Sequence, residues 1–303
     1  MLICDTHADT LWVRCRCPAG AACDITLEAM TEHPEETRLQ VLALFVSTGG
    51  MEQKPTVVER ELAMLETLKK ESFRQVTRVE DALPGQANVM LSIEGGEAFE
   101  GKIENVERFA RMGVRLGALM WNNENGIGHP AMGGSGEGLT PYGKSLVKEM
   151  NRCKMAVDIS HLNEKGSFEV MEGETPALAS HSCAKALCDH PRNLSEEQLR
   201  LLFQTKGFVG VNFYSDFLST NGIADLNTVV DHMAYMCDLG GEDCVGFGSD
   251  FDGIDAYPEG LRTAHDVPAL LENMRRRGFG DELVKKIAGE NFRRYMAAIG
   301  TFC

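Results

Sequence analysis

Two residue types that commonly bind metal ions lie two positions apart near the start of the chain. His7 and Asp9 follow a short apolar run within "ICDTHADTLW" (3–12). A spacing of two is the side-chain repeat of a β-strand, so both side chains are expected on the same face. Burying two such polar groups without a partner is costly, which predicts that something binds them.

Other polar residues follow short apolar runs farther along the chain. They are Glu94, Trp121, Asn122, His161, His181, Asp250 and Asp252. Taken singly, a buried histidine is more often a hydrogen-bonded core residue, and Glu94 alone could cap a helix. Taken together, so many polar groups cannot share one dry pocket without compensation. Bound metal ions would supply it.

The ligand types favour particular metals and a particular number of ions. Imidazoles and carboxylates without a thiol suit Zn²⁺, with Mn²⁺, Fe²⁺ and Co²⁺ as alternatives. Three histidines, one aspartate and one glutamate exceed what one catalytic zinc needs, so two ions sharing a carboxylate are predicted. His7 and Asp9 would bind one ion, His161 and His181 the other, and Glu94 would bridge them.

Asp250 remains outside this ligand set and is a candidate for acid–base chemistry. Water held between two such ions is a strong nucleophile near neutral pH. A carboxylate beside that water can accept its proton and pass it on. Asp252 is expected to support the loop after the last strand.

The elements that position these residues alternate along the chain. Eight short apolar runs read as buried parallel strands: 2–9, 39–48, 87–97, 114–122, 155–161, 177–182, 207–214 and 244–253. Amphipathic helices are predicted at 56–71, 140–153, 195–204, 226–239, 266–278 and 280–300. This repetition favours an α/β fold, a closed (β/α)₈ TIM barrel, over an open sheet. Active sites of such barrels lie at the carboxyl ends of the strands.

Composition limits the class of protein. The chain has 303 residues, 43% of them hydrophobic, and a formal net charge of −15. Residues 1–303 are predicted to form one barrel domain. An acidic chain is a poor partner for nucleic acid or anionic membranes. The sequence shows neither a secretion signal nor a membrane span, and its ten cysteines are scattered, so a cytoplasmic location is predicted.

At the level of motifs, the chain resembles the membrane (renal) dipeptidase family of zinc peptidases within the amidohydrolase-like barrels. The resemblance runs from "DTHADTLW" (5–12) through "SIEGGEAF" (92–99) and "DISHLN" (158–163) to "SHSCAKALCDHPRNL" (180–194). It continues through "VNFY" (211–214) and "VGFGSDFDG" (245–253) to "GENFRRYM" (289–296). It therefore covers nearly the whole chain in order.

The resemblance implies roles for individual residues. His7 and Asp9 would bind one zinc, His161 and His181 the other, Glu94 would bridge the two ions, and Asp250 would shuttle protons. Arg192, in an Arg-Asn step eleven residues after His181, would bind the terminal carboxylate of a dipeptide. The resemblance also implies homodimers. The chain departs from the membrane enzymes in showing neither a secretion signal nor a lipid-anchor tail, so a soluble, bacterial-type member is expected.

One departure from the family concerns substrate binding after the fourth strand. The mammalian enzymes carry a substrate-binding histidine where this chain has Trp121. Asn122, Asn123 or Asn125 would replace it, or the metals alone would stabilise the oxyanion. Trp121 and Asn122 are therefore predicted to contact the substrate.

The predicted activity is hydrolysis of the single peptide bond of a dipeptide by a binuclear zinc enzyme. The preferred dipeptide, and the acceptance of a C-terminal D-residue, stay open. A related metal-dependent amidohydrolase acting on N-acyl amino acids or lactams is the alternative. A binding protein with an inactive site is a further alternative, which the intact ligand set disfavours.

Overall fold

Eight parallel strands close into a barrel in this structure, a computed structural model that describes residues 1–16, 22–46 and 54–302. The strands in chain order are β1 (Leu2–Asp5), β2 (Thr37–Phe45), β3 (Phe73–Gln75), β4 (Ala87–Glu94), β5 (Val114–Ala118), β6 (Ala156–Asp158), β7 (Leu178–Ala179), β8 (Phe208–Val211) and β9 (Val245–Phe247). The ring runs β1–β2–β4–β5–β6–β7–β8–β9, and pairing of β9 with β1 closes it. The predicted TIM-barrel fold is confirmed.

Each of the eight predicted apolar runs overlaps one barrel strand. Seven of the runs contain their strand entirely, whereas β2 begins two residues before the run 39–48. The run 155–161, for example, contributes only Ala156–Asp158 to the sheet. The remaining residues of these runs form the loops that carry the polar side chains. The last two positions of the run 39–48 lie outside the described residues.

Strand β3 was not predicted from the sequence. It pairs only with the first residues of β4 and stays outside the ring. Its three residues include two partly exposed polar ones, Arg74 and Gln75, so it lacks the apolar signature of the buried strands.

Helices connect the strands, as a parallel barrel requires. They are α1 (Thr10–Arg16), α2 (Leu27–Thr31), α3 (Lys54–Lys70), α4 (Glu104–Arg111), α5 (Pro141–Arg152), α6 (Glu164–Met171), α7 (Glu196–Gln204), α8 (Ser215–Leu218), α9 (Leu226–Met236), α10 (Val267–Arg276), α11 (Asp281–Lys285) and α12 (Asn291–Ile299). The predicted helix 280–300 is divided by a π-helical turn, Lys286–Glu290, between α11 and α12. Side chains of Thr140 and Ser195 cap α5 and α7, because each accepts a hydrogen bond from a first-turn amide.

Apolar side chains fill the space away from the carboxyl ends of the strands. Leu39 and Phe208, near the starts of β2 and β8, belong to a buried cluster with Phe292 and Tyr295 of α12. The candidate site residues lie at the opposite end of the barrel. Among the described residues, no helix has both the length and the apolar character needed to cross a membrane.

Candidate metal centre and active site

Side chains from five barrel strands converge on one buried site at the carboxyl ends of the strands. His7 follows β1, Glu94 ends β4, His161 follows β6, His181 follows β7 and Asp250 follows β9. Four of these residues are less than one-tenth exposed. The structure thus brings together residues that lie up to 243 positions apart, as the strand-end rule for barrels anticipates.

Glu94 lies between the histidines, with one carboxylate oxygen directed toward each side. Its Oε2 is 3.4 Å from Nε2 of His7. Its Oε1 is 2.9 Å from Nε2 of His161 and 3.5 Å from Nε2 of His181. A carboxylate placed in this way has the arrangement expected of a bridging ligand.

The two histidines after β6 and β7 face each other, and each has a hydrogen-bond partner on the side of its ring away from the other histidine. Their Nε2 atoms are 3.0 Å apart. On the outer side, Nδ1 of His161 lies 2.8 Å from Oδ1 of Asn122, and Nδ1 of His181 lies 2.7 Å from Oγ of Ser180. Such outer contacts select the tautomer and ring orientation of a metal-binding histidine.

On the His7 side, two aspartates lie close to the imidazole. Oδ2 of Asp9 and Oδ1 of Asp250 are 3.9 Å and 3.8 Å from Nε2 of His7. The other oxygen of Asp250 accepts a hydrogen bond from Nδ2 of Asn212 at 2.9 Å. Asn212 therefore fixes the direction in which Asp250 presents its free oxygen.

Backbone geometry aims two of these side chains into the site. His161 and Asp250 have φ angles of +67° and +63°, a left-handed conformation that is uncommon outside glycine. Buried carboxylates accept hydrogen bonds from backbone amides in the turns that precede these two residues. Asp158 accepts from the amides of Ser160 and Ser180, and Asp5 accepts from those of His7 and Ser249.

Burial and neighbouring charge shift the pKa values in opposite directions. Burial lowers the pKa of His7, but the Glu94 and Asp9 carboxylates raise it by more, to well above its usual range. Burial, together with the positive charges of Arg192 and His7, holds the pKa values of His161 and His181 well below theirs. Burial raises the pKa of Glu94 to about 7. Strong shifts of this kind cluster at functional sites.

The donor atoms of this site fit divalent metal ions. Ligand atoms of His7, Glu94 and His181 lie within 4.8 Å of one another, and so do those of His7, Asp9 and Asp250. Nε2 of His7, Oδ1 of Asp9 and Oε2 of Glu94 are buried without a hydrogen-bond partner. Such orphaned polar atoms are unfavourable unless a cation compensates them.

Arg192 lies beside the candidate metal centre and has one donor without a hydrogen-bond partner. The side chain is 4% exposed, Nη2 donates to the carbonyl of His181 at 3.3 Å, and Nε has no hydrogen-bond partner. The guanidinium carbon lies 5.5 Å from the centre of the Phe217 ring. Burial lowers the pKa of Arg192, while the charges of Asp250 and Glu94 raise it, and the net shift is downward. A buried guanidinium with a free donor is suited to an anionic group of a ligand.

The residues after the fourth barrel strand that were predicted to contact the substrate differ in their hydrogen-bond and packing partners. Asn122 uses its Oδ1 on His161, so the structure places it behind a histidine of the metal centre. The Trp121 ring is 6.4 Å from the His161 ring and packs edge-on against Phe45. Asn125 binds the carbonyl of Leu119 and the amide of Ile127, within its own loop. Asp252 accepts from Thr10 and from the amide of Asp24 and thereby ties down the loop after β9.

Sequence reasoning missed a buried acid near the site. Glu61 of α3 is 0% exposed, accepts from the amide of Phe45 at 3.3 Å and keeps Oε2 without a hydrogen-bond partner. Burial and the charge of Asp9 raise its pKa to about 9. A signal was present in the sequence, because Glu61 has helical spacing to Val58, Leu65 and Leu68 on the buried face.

Comparisons with known proteins identify a family and two related sequences. The family model described as membrane dipeptidase (peptidase family M19) matches residues 1–302. An uncharacterised protein from the 5′ region of pqqA in Klebsiella pneumoniae is 38% identical over 219 residues, which are 69% of this chain and 80% of that protein. An uncharacterised dipeptidase of Schizosaccharomyces pombe is 36% identical over 219 residues, 71% of this chain and 54% of that protein.

A solved structure resembles the whole chain. The metallopeptidase of Rhodobacter sphaeroides bound to a phosphinate mimic of the dipeptide L-Ala-D-Ala superposes with a TM-score of 0.90. Its sequence is 27% identical, and the match covers 99% of each chain.

Proposed function

Because the chain belongs to the membrane dipeptidase family (peptidase family M19), and is therefore a metal-dependent peptide hydrolase, we propose that it is a binuclear zinc dipeptidase. Its substrate is a dipeptide, whose single peptide bond it hydrolyses. The Rhodobacter sphaeroides enzyme, which binds a mimic of L-Ala-D-Ala, supports including a C-terminal D-residue in this proposal.

The observation that carries the proposal is the position of Glu94 between two sets of donors. Oε2 faces His7 and Oε1 faces His161 and His181, at 2.9–3.5 Å. His7 and Asp9 would hold one ion, His161 and His181 the other, and Glu94 both. Two such ions supply Lewis acidity and activate a water molecule as the nucleophile.

Asp250 is proposed to move the proton during hydrolysis. One oxygen is held by Asn212, and the other points toward His7 and the metal centre. A carboxylate in this position accepts the proton of the attacking water and donates it to the leaving amine.

Arg192 is proposed to orient the substrate through its terminal carboxylate. Its unpartnered Nε and buried guanidinium provide charge-assisted hydrogen bonds that a longer peptide, without a carboxylate at that position, does not satisfy. Trp121 and Asn122 remain proposed substrate contacts, and the Nδ2 of Asn122 is the group left to donate a hydrogen bond to the substrate while Oδ1 accepts from His161.

Three further features remain proposals. Residues 1–303 are proposed to form a single catalytic domain, the active protein to be a homodimer, and its location to be cytoplasmic. Light scattering of the purified protein tests the dimer, and cell fractionation tests the location.

The decisive experiment compares substrate classes with zinc-reconstituted protein. Dipeptides with L- and D-residues at the C-terminal position are assayed beside N-acyl amino acids and lactams, with metal content measured on the same sample. We expect two ions per chain and turnover of dipeptides. Turnover confined to N-acyl amino acids or lactams would favour the alternative amidohydrolase, and metal binding without any turnover would favour a binding protein.

A further inference from the structure

Three aromatic side chains from separate elements pack together beside the metal centre. Trp12 of α1 and Phe45 at the end of β2 have ring centres 5.0 Å apart at an interplanar angle of 87°. Phe45 and Trp121 are 5.2 Å apart at 75°. We call these three residues the aromatic wall. Its edge-to-face geometry is the favoured one for aromatic pairs and makes the wall stiff.

The aromatic wall borders the proposed reaction centre directly. Phe45 is paired in register with Glu94, since β2 and β4 are neighbours in the ring. The Trp121 ring lies 6.4 Å from that of His161. Phe45 is buried, whereas Trp12 and Trp121 are partly exposed, so both indole side chains retain accessible surface.

Arg192 and Phe45 occupy opposite sides of that mouth. Arg192 follows β7 and Phe45 ends β2, and these strands are four positions apart in a ring of eight. Glu94 ends β4, the strand next to β2, and His161 follows β6, the strand next to β7. A dipeptide in extended form spans roughly 7 Å. With its carboxylate at Arg192 and its peptide bond at the metal centre, its amino-terminal residue points toward the aromatic wall.

We propose that the aromatic wall is the binding surface for the amino-terminal side chain and selects dipeptides in which that side chain is large and hydrophobic. This inference rests on the proposed dipeptidase function and names the substrate class of that same site. Apolar contact with two indoles and a phenyl ring favours leucine- or phenylalanine-type side chains through burial of their surface.

The position of Arg16 suggests a different substrate preference, which the test must distinguish from the proposed one. Its guanidinium lies over the Trp12 ring at 4.3 Å from the ring centre. A cation at this edge would favour an acidic amino-terminal side chain instead. The test therefore includes Glu-Ala beside the hydrophobic substrates.

The kinetic test varies only the amino-terminal residue. The substrates are Gly-Ala, Leu-Ala, Phe-Ala and Glu-Ala. They are assayed with zinc-loaded wild type, Trp121→Ala and Trp12→Ala. A further variant, Trp121→Phe, tests whether a smaller aromatic ring is sufficient for the preference. We expect wild type to favour Leu-Ala and Phe-Ala over Gly-Ala in kcat/KM by roughly 10- to 100-fold. The alanine variants should lose most of this preference, mainly through a higher KM for Leu-Ala and Phe-Ala. Tyr235→Leu, on the distant helix α9, should behave as wild type.

Fluorescence provides a second readout, because Trp12 and Trp121 are the only tryptophans of the chain. The phosphinate mimic of Leu-Ala, added to zinc-loaded protein, should change the emission of wild type more than the mimic of Gly-Ala does. Trp12→Phe and Trp121→Phe report on each indole separately. Circular dichroism and zinc content show whether each variant is folded and loaded.

The outcomes separate this inference from the proposed function. If wild type hydrolyses no dipeptide, both are overturned. Three results would overturn the inference and leave the dipeptidase function standing. Wild type could hydrolyse Gly-Ala, Leu-Ala and Phe-Ala equally well, or it could prefer Glu-Ala. Alternatively, Trp121→Ala could lose activity equally on all of these substrates. If Trp121→Ala does not fold or does not bind zinc, the inference is tested with Trp121→Phe and with the fluorescence titration instead. Equal fluorescence responses to the mimics of Leu-Ala and Gly-Ala would then overturn it.

Discussion

The Nε2 atoms of His161 and His181 lie 3.0 Å apart and point at the same carboxylate oxygen, Oε1 of Glu94. The amide oxygen of Asn122 only accepts hydrogen bonds, so Nδ1 of His161 carries the proton in that contact. Nε2 of His161 then carries no proton and has a lone pair that can bind a metal ion. Ser180 can hold His181 in the same tautomer. Two facing lone pairs at this distance repel each other, and a cation between them turns the repulsion into binding.

Removing the partner of His161 should weaken metal binding. In Asn122→Ala the imidazole loses the contact that selects its tautomer, and zinc affinity should fall roughly 10- to 100-fold, the usual effect of such partners. Competition with a fluorescent zinc chelator measures it. Asn123→Ala, a neighbouring change that leaves the Asn122–His161 hydrogen bond intact, should keep wild-type affinity. Equal affinity of Asn122→Ala and wild type would contradict the orienting role.

The fold was predictable from the sequence because buried parallel strands leave a simple signature. Six of the eight apolar runs end at or near residues that were predicted to form the site, which is why His7 and Asp250, from opposite ends of the chain, could be assigned to one site. β3 was missed because its pairing depends on contact with β4 rather than on its own three residues.

The supporting contacts of the site were not predictable in the same way. Asn212 lies in a strand-end segment, but nothing in its position states that its amide binds Asp250. The outer contacts of Asn122 and Ser180 depend on the rotation of two imidazole rings, which the spacing of residues does not determine. Such details are set by tertiary packing.

Asp250→Asn should separate metal binding from catalysis. The substitution keeps the shape of the side chain and its contact with Asn212 but removes the proton acceptor. We expect wild-type zinc content and a kcat reduced by roughly 10²- to 10⁴-fold. Asp189→Asn, an exposed change in the loop after β7, serves as the control. Full activity of Asp250→Asn would assign the proton transfer to another group.

Arg192→Met should raise KM only for substrates with a free carboxylate. Hydrogen bonds to charged groups contribute about 1.5–3 kcal/mol, so KM for Leu-Ala should rise at least about tenfold. KM for the dipeptide amide should stay constant, because that substrate offers no carboxylate. Arg200→Met, an exposed arginine of α7 paired with Glu196, controls for loss of charge. Equal increases for both substrates would place Arg192 elsewhere in the reaction.

Glu61→Gln should make the protein more resistant to alkaline conditions. Burial raises the pKa of Glu61 from 4.5 to about 9, so the folded chain retains a proton that the unfolded chain releases above pH 4.5. The contribution of Glu61 to stability is therefore fully present below that pH and declines as the pH rises toward 9, by at most about 1.4 kcal/mol per pH unit. Glutamine stays neutral and can still accept from the amide of Phe45.

Thermal unfolding of the metal-free protein at several pH values measures this effect. The Tm of Glu61→Gln should match that of wild type near pH 5 and exceed it increasingly up to pH 9. Glu59→Gln removes a charge from an exposed position of the same helix and should give the same Tm difference at every pH. A constant difference for Glu61→Gln as well would mean that Glu61 is ionised in the folded chain, because only a proton held by the folded state makes stability fall with rising pH in this range.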